Sequence, residues 1–168
     1  MVTTEEKKKI GKKSRADGQK FEGKVRDDLI SKGWVVIKNP NNVIKFDTPN
    51  GQTVEFKQGK PKYNPITKQI MMRSNGFPDY ICYCHIQNHI LHKIGGKTET
   101  KKLYEVIGVE AKSNGYLDKE EKEKCSWLLQ NNIFSHILIA SKLKDNPKEI
   151  IYKEFDIGNT KQSVSKKE

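Results

Sequence analysis

Four short apolar runs, each bounded by glycine, proline or polar residues, limit this chain to a small fold built around a sheet. Runs of this length that are rich in Val and Ile are typical of buried strands. Two segments with helical spacing accompany them, one before the first run and one before the last. This order predicts an α/β fold with a mixed central sheet flanked by helices. The runs are GWVVIK (33–38), DYICYCHI (79–86), LYEVIGVEAK (103–112) and SHILIAS (135–141).

The two helical segments are recognised by their apolar stripes and their end signals. The first covers about residues 19–31 and stops at Gly33, and its predicted stripe is Phe21, Val25, Leu29 and Ile30. The second, DKEEKEKCSWLLQNN (118–132), is N-capped by Asp118. Its predicted apolar side is Cys125, Leu128 and Leu129. A short element of undecided type, EIIYKEF (149–155), closes the pattern.

An insertion of more than 30 residues, at about 39–75, separates the first two apolar runs. It holds a predicted hairpin, VIKF-DTPNGQ-TVEF (43–56), and then a basic stretch rich in Pro and Gly (57–69) that we interpret as an exposed loop. The polar segments at 1–17 and 158–168 lack apolar periodicity and predict a flexible basic arm and a flexible tail. The predicted folded domain is therefore 18–157.

The charge of the chain favours a polyanionic partner. Lys and Arg outnumber Asp and Glu by 32 to 21, a net charge of +11, which favours nucleic acid first and an anionic membrane surface second. The alternative is a lysine-rich composition that only keeps the protein in solution. No apolar run approaches the roughly 20 residues of a membrane span. EEKKK stands where a signal peptide would be apolar, and three cysteines argue against a disulfide framework. We expect an intracellular protein, cytoplasmic or nucleoid-associated, of cellular or viral origin.

The triplet Glu-x-Lys occurs seven times, which is near chance in this composition, so position must select among the copies. A hydrolytic Mg²⁺ site needs at least two carboxylates that converge from rigid elements. Glu110 closes an apolar run next in order to the strand that begins at Asp79, and Lys112 follows it. Glu55, in VEFK, belongs to the predicted hairpin and has no evident acidic partner. The alternative for Asp79, within NGFPDY, is that it caps a turn.

Pro78-Asp79 followed by Glu110-Ala111-Lys112 resembles the signature of the PD-(D/E)xK nuclease superfamily, most of all the archaeal-type Holliday junction resolvases and the VRR-NUC domains. SRADGQKFEGKVRDDLISKGWVVIK (14–38) resembles their opening helix and strand, and RSNGFPDYI (73–81) resembles their approach to the metal-binding aspartate. GVEAKSNGYLDKEEKEKCSWLLQNNIFSHILIAS (108–141) resembles the VRR-NUC order of strand, helix and strand. The resemblance implies a restriction-endonuclease-like core.

Three departures from the family accompany the resemblance. One is the insertion at about 39–75. Another is the wide spacing of Asp79 and Glu110, which requires residues 81–102 to form an extended hairpin. The third is Glu121, where VRR-NUC domains commonly carry glutamine, so a role at this position is in question.

The resemblance implies a role for each site residue. Asp79 and Glu110 would ligate Mg²⁺, or Mn²⁺ as a substitute, with the Ala111 backbone carbonyl as a third oxygen. Lys112 would orient or deprotonate the attacking water and stay partly neutral beside the cation. Glu22, on the first helix, would hold a metal-bound water or a second metal. The alternative for Glu22 is a solvated charge on a helix face.

The function that follows is a structure-selective DNA endonuclease, a Holliday junction resolvase acting as a homodimer on four-way or other branched DNA in recombination and repair. The alternatives are a restriction-type or repair nuclease on the same core and a non-catalytic nucleic-acid-binding module. Residues that would contact phosphates without reading sequence come from the N-terminal segment and the insertion. The alternative is that these segments are solvated and flexible, or, for the serine, a plain turn. The residues predicted to contact phosphates are Arg15, Lys57, Lys60, Lys62, Tyr63, Lys68, Arg73 and Ser74.

The cluster CYCHIQNHILH (82–92) invites comparison with a zinc site. Cys82 and Cys84 share one strand face, but His85, His89 and His92 scatter over both faces. Structural zinc sites usually combine two ligand pairs from separate turns. We therefore interpret this cluster as buried cysteines and exposed hairpin histidines.

Overall fold

The computed structural model describes residues 3–49, 51–58, 62–64, 69–71, 76–94 and 97–157. Within them the helices are α1 (Thr4–Ser31) and α2 (Lys119–Gln130). The strands are β1 (Val35–Lys38), β2 (Asn41–Thr48), β3 (Gly51–Gln58), β4 (Lys62–Asn64), β5 (Gln69–Met71), β6 (Tyr80–Ile94), β7 (Lys97–Ala111), β8 (His136–Lys142) and β9 (Ile150–Glu154). The predicted tail at 158–168 lies outside the described residues.

The central sheet has five strands in the order β1-β6-β7-β8-β9. β7 and β8 run parallel, whereas the other neighbouring pairs run antiparallel, so the sheet is mixed, as predicted. β9 fills the position of the element whose type the sequence left undecided. Because β6 and β7 are antiparallel, the start of β6 and the end of β7 meet at the same end of the sheet.

Alternation along the strands divides the core between the two faces of the sheet. On one face, Ile107 and Val109 of β7 pack with Phe21, Val25 and Leu29 of α1. On the other face, Cys125 and Leu128 of α2 pack with Ile137 and Ile139 of β8. The predicted flanking of the sheet by helices is confirmed. Ile30 is an exception to the predicted stripe, because its side chain is 52% exposed.

α1 begins much earlier than its apolar stripe predicts. A capping box at Thr3 and Glu6 closes its first turn: the Glu6 backbone N–H donates to the Thr3 hydroxyl, and the Glu6 carboxylate accepts from the Thr3 backbone N–H. Lys, Arg, Ala and Gln, which favour helix without burial, continue the helix to the stripe. The predicted flexible arm at 1–17 is therefore wrong for residues 4–17, which are helical. Gly33, at φ +87°, follows the helix end, as predicted.

The insertion contains two small two-stranded sheets. The predicted hairpin is confirmed as β2–β3, which pairs from Asn41–Gln58 to Thr48–Gly51. Val43, Val54 and Phe56 turn one face of this hairpin towards the α2-side core, where the Phe56 and Phe134 rings meet edge to face at 6.1 Å. The basic stretch, predicted as a loop, instead contributes β4 and β5, which pair through backbone hydrogen bonds that side-chain patterning does not signal.

The extended hairpin required by the spacing of Asp79 and Glu110 is present as β6–β7. β1 pairs with only the first four residues of β6, Tyr80–Tyr83, and β8 pairs with only the last five of β7, Ile107–Ala111. Among the described strands, the distal parts of β6 and β7 therefore pair only with each other. We call this two-stranded part, residues 84–94 and 97–106, the distal ribbon. No helix among the described residues is both long and apolar enough to cross a bilayer.

Candidate active site

Asp79 and Glu110 lie side by side where β6 begins and β7 ends. The register pairs Tyr80 with Val109, which sets Asp79 opposite Glu110. The Asp79 backbone N–H donates to Glu110 Oε2 at 3.0 Å, and the Ala111 backbone N–H donates to Asp79 Oδ2 at 3.0 Å. These reciprocal hydrogen bonds hold the two carboxylates next to each other, although 31 positions separate them in the chain.

The turn that presents Asp79 is held by Asn39, whose side chain is fully buried. Asn39 Nδ2 donates to the Pro78 carbonyl at 2.8 Å, and the Asn39 backbone N–H donates to the Asp79 carbonyl at 2.9 Å. Gly76 passes so close that an added Cβ would lie 1.7 Å from the Asn39 carbonyl oxygen. Only glycine fits at that position. Asp79 is thus fixed by the junction of β1 and β2.

Glu22 reaches this site from α1 through Lys38, the last residue of β1. Lys38 Nζ lies 2.7 Å from Glu22 Oε2 and 3.0 Å from Asp79 Oδ1. Its ammonium also sits 4.8 Å from the centre of the Tyr80 ring. The Tyr80 hydroxyl donates to the Glu22 carbonyl at 3.0 Å and so fixes α1 over β6 at this point. Burial lowers the pKa of Lys38, but the two carboxylates outweigh burial and hold its pKa above the ordinary value.

Lys112 is held between Glu110 and Glu121 on the α2 side of the sheet. Its Nζ lies 3.2 Å from Glu110 Oε1 and also contacts Glu121 Oε1. Glu121 Oε2 accepts from the Asp118 backbone N–H at 3.0 Å, within the capping box of α2. Burial lowers the pKa of Lys112, but the hydrogen bond to Glu121 and the charge of Glu110 raise it by more. Without a cation beside it, Lys112 is therefore an ammonium group, and the partial neutrality expected beside a cation stays a prediction.

Glu110 is the most deeply buried acid of the site, at 5% exposure. Burial and, after it, the charge of Asp79 raise its pKa to about 8, although Lys112 offsets part of their effect. A carboxyl group in this environment holds its proton unless another positive charge arrives. The position next to Asp79 therefore favours a bound cation.

The side chains fit a Mg²⁺ ion held by two carboxylates better than a cage of several. Four carboxylates, those of Glu22, Asp79, Glu110 and Glu121, face two ammonium groups, so the fully ionised site has a charge of −2. Within the described part of the chain, no three His, Cys, Asp or Glu side chains are arranged to hold a metal, and Lys38 lies between Glu22 and Asp79. Mg²⁺ commonly binds through one or two carboxylates, with waters and phosphates completing its shell.

Of the remaining predicted residues, none whose side chain is described joins this site. Glu55 and Lys57 project from the outer face of β3, where they pair with each other at 2.5 Å, and Lys57 also covers the Phe46 ring. Arg15 is exposed on α1. Lys62 and Tyr63 lie in β4, and their side chains are outside the described part of the structure. Lys60, Lys68, Arg73 and Ser74 lie outside the described residues altogether.

The cysteines of the suspected zinc cluster have a packing role. Cys82 is buried and Cys84 is partly buried, and both are free thiols. Burial raises the pKa of the Cys82 thiol to about 12, which keeps it protonated. The His85 ring is exposed and packs against the Tyr104 ring at 5.6 Å. The side chains of His89 and His92 are outside the described part of the chain.

Sequence reasoning missed Lys38, Asn39 and a structural role for Glu121. Lys38 carried a weak signal, because it shares a strand face with Val36, which packs under α1. Asn39 belongs to NPNN, which predicts that the strand ends there but does not reveal that the Asn39 side chain is buried. Glu121 stands three residues after Asp118, the spacing of a capping box, and this signal was available.

No protein-family model, curated protein or solved structure matches the chain. The class of protein must therefore be argued from the fold and from the site. The fold is a mixed α/β sheet with one helix on each face. The site, at one end of that sheet, joins two hydrogen-bonded carboxylates to two paired lysines.

Proposed function

We propose that the protein is a Mg²⁺-dependent endonuclease that hydrolyses phosphodiester bonds in branched DNA, with four-way junctions as its preferred substrate. The observation that carries this proposal is the reciprocal hydrogen bonding of Asp79 and Glu110 beside Lys112. Two adjacent carboxylates and an ammonium group, held by rigid strands, are the parts that metal-assisted phosphoryl hydrolysis requires.

Asp79 and Glu110 would hold the Mg²⁺ ion, and the Ala111 carbonyl is the nearest backbone oxygen in sequence to complete the protein's share. When bound, the ion supplies a lowered pKa for an attacking water and polarises the scissile phosphate. The raised pKa of Glu110 supports this assignment, since its carboxylate is short of positive charge in the absence of a cation. Cation binding would release the proton that Glu110 otherwise retains.

Lys112 would orient the attacking water and stabilise the negative charge that builds on the phosphate. In the absence of a cation, its raised pKa makes Lys112 an ammonium group, the form that stabilises negative charge on a phosphate. Glu121 restrains the ammonium from the side opposite Glu110. Glu121 would therefore position Lys112 and would not act as a metal ligand.

Glu22 and Lys38 would set the charge at the other side of Asp79. With Lys38 in contact with both acids, Glu22 acts on the cation through Lys38 and not as a direct ligand. This arrangement favours one metal ion per site. The restriction-endonuclease-like core and the homodimer belong to the same proposal, and a twofold dimer suits two symmetric cuts in a junction.

A non-catalytic nucleic-acid-binding module is the second candidate, and one observation favours it. Each of the four carboxylates already contacts a lysine or a backbone N–H, so the cluster is satisfied as a structural ion-pair network. The net charge of +11 would then serve binding alone.

Asp79→Asn separates the two candidates, with Asp27→Asn, an exposed acid of α1, as the matched control. The purified protein should cut four-way DNA in Mg²⁺ and not in chelator. Asp79→Asn should reduce the cleavage rate by at least about a hundredfold and leave DNA binding intact, while Asp27→Asn should cut normally. Flap and linear duplexes are tested in parallel. Equal cutting by Asp79→Asn would exclude this catalytic site, and cutting of linear duplex at fixed sequences would favour a restriction-type enzyme.

A further inference from the structure

A cleft of about 620 Å³ lies beside the candidate active site, between the N-terminal half of α1 and the loop after β7. Its volume is within the roughly 300–1,000 Å³ of pockets that hold small organic ligands. Ala111 and Lys112 belong both to the lining of the cleft and to the candidate site, so the cleft adjoins the site. The polar side chains that line the cleft include Lys13, Ser14, Ser113, Asn114 and Lys142.

The cleft is built into the backbone on two sides. On one side, the Lys112 backbone N–H donates to the Ala140 carbonyl at 2.9 Å, and the Lys142 backbone N–H donates to the Ser113 carbonyl at 3.3 Å. These bonds fix the loop after β7 against β8. On the other side, Gly18 of α1 leaves space, since an added Cβ there would meet no atom within 4 Å.

The charges of this cleft differ from those of the active site. Among the described residues, neither Lys13 nor Lys142 forms an ion pair with a carboxylate, whereas Lys38 and Lys112 each contact two. The Lys142 ammonium lies 5.4 Å from the centre of the Phe21 ring, at the floor of the cleft. Asp17 is the single acid in the lining. Two ammonium groups without a carboxylate partner in the described part of the chain therefore line this cleft.

We propose that this cleft binds the sugar-phosphate backbone of the DNA strand next to the bond that is cut. Lys13 and Lys142 meet its phosphates, and Ser14, Ser113 and Asn114 offer hydroxyl and amide donors. A polymer fits better than a free nucleotide, because the cleft adjoins the candidate site at Ala111 and Lys112 and a strand can occupy both. The inference rests on the proposed function, since it names the path by which the substrate strand reaches Asp79 and Glu110.

The first test removes the two unpaired charges. DNA binding is measured by fluorescence anisotropy in chelator, over a range of salt, for the wild type and for the double variant Lys13→Gln, Lys142→Gln. The matched control is Lys148→Gln, Lys153→Gln, which removes two exposed charges near β9. In the cleft variant we expect the dissociation constant to rise about tenfold and the log–log salt slope to fall by about 1.5 to 2, as for two lost phosphate contacts. The control should change the dissociation constant by no more than about twofold.

An unchanged salt slope in the cleft variant, or an equal loss in the control, would overturn the proposal. Competition with millimolar AMP tests the ligand class. If AMP displaces DNA from the wild type but not from the cleft variant, the cleft binds free nucleotides instead.

The second test fills the cleft without disturbing α1. Gly18→Leu projects into the cleft from an unhindered helical position, whereas Gly11→Leu projects from an unhindered position on α1 that does not line the cleft. Gly18→Leu should weaken DNA binding about as much as the charge variant, and Gly11→Leu should not. Because both tests measure binding without metal, they stand even if Asp79→Asn cuts normally. In that case the proposed function fails and the cleft remains a strand-binding site. If Gly18→Leu binds DNA as well as the wild type, the cleft proposal is wrong and the proposed function is unaffected.

Discussion

At the scale of single residues, two lysines set the electrostatics of the candidate site. Lys112 neutralises part of the charge of Glu110, and Lys38 stands between Glu22 and Asp79. Neither lysine stands out in a chain with 32 basic residues, and only Lys112 is marked by a motif. The sequence could predict Asp79, Glu110 and Lys112 because strand order brings them together. The sequence could not predict the role of Lys38, because that role depends on the position of the ammonium group at the end of a flexible side chain.

Lys38→Met should strengthen cation binding at the site. Without its ammonium, Glu22 and Asp79 lose a shared counter-charge, and the affinity for Mn²⁺ should rise about tenfold. Isothermal titration calorimetry without DNA measures the affinity and the number of ions bound. Lys32→Met is the matched control, since Lys32 also pairs with a carboxylate, Asp28 at 2.7 Å, and also covers a tyrosine ring. Weaker Mn²⁺ binding in Lys38→Met would mean that Lys38 supports the cation site instead of competing with it.

Glu110 should make the metal-free protein less stable at high pH. Its pKa is about 8 in the folded protein and about 4.5 in the unfolded chain, so the folded state binds its proton more tightly. The resulting stabilisation is complete below pH 4.5 and is lost as the pH rises through 8. In chelator, the free energy of unfolding of the wild type should fall between pH 5 and pH 9. The fall for Glu110→Gln should be smaller by on the order of 2 to 4 kcal/mol.

Urea unfolding at a series of pH values measures this difference. Glu123→Gln, an exposed residue of α2, serves as the control and should follow the wild type at every pH. A Glu110→Gln curve parallel to that of the wild type would show that Glu110 is ionised in the folded protein at neutral pH.

At the scale of elements, the turn from β1 into β2 supports the site as much as the strands do. Asn39 connects this turn to the Pro78 and Asp79 carbonyls, and its Oδ1 accepts from the Asn41 backbone N–H at 2.9 Å. Every one of these hydrogen bonds is shielded by the complete burial of Asn39. The start of the insertion and Asp79 are therefore parts of one unit.

Asn39→Ala should destabilise the protein by about 2 to 4 kcal/mol, because it removes two side-chain hydrogen bonds and leaves the Pro78 carbonyl buried without that donor. Urea unfolding measures the loss. The matched control is Asn131→Ala, which removes one exposed hydrogen bond to the Trp127 carbonyl and should cost less than about 1 kcal/mol. If the two variants lose equal stability, the turn does not depend on Asn39.

The elements that the sequence predicted well are those whose stability depends on alternating or periodic burial. The β2–β3 hairpin and α2 follow from such patterns, as do the strands β6, β7 and β8. The N-terminal half of α1 was missed because a capping box and helix-favouring residues hold it, with little burial. β4 and β5 were missed because backbone pairing over three residues leaves no periodic signal.

At the scale of the whole molecule, the structure divides into a packed body and the distal ribbon. Of the described side chains, none between residues 84 and 106 belongs to either core cluster. The longer strand of the ribbon, residues 84–94, spans about 35 Å at roughly 3.3 Å for each residue. The antiparallel register, not the ribbon, is what joins Asp79 to Glu110.

The body should therefore fold without the ribbon. Replacing residues 86–103 by Asn-Gly connects His85 to Tyr104, which face each other in the register, through a two-residue turn. The shortened protein should unfold cooperatively, with a melting temperature within about 5 °C of the wild type, since both core clusters are intact. Calorimetry measures the transition. Loss of a cooperative transition would mean that the ribbon contributes to the stability of the body.

The register of the hairpin shifts once at the base of the ribbon, between His85 and Gln87, where Ile86 is an extra residue on β6. A bulge of this kind bends a strand pair and increases its twist, so one residue sets the direction in which the whole ribbon projects. Deleting Ile86 would re-aim the ribbon and leave Asp79 and Glu110 in place. A change of one amino acid can therefore alter the direction of the ribbon without altering the geometry of the candidate site.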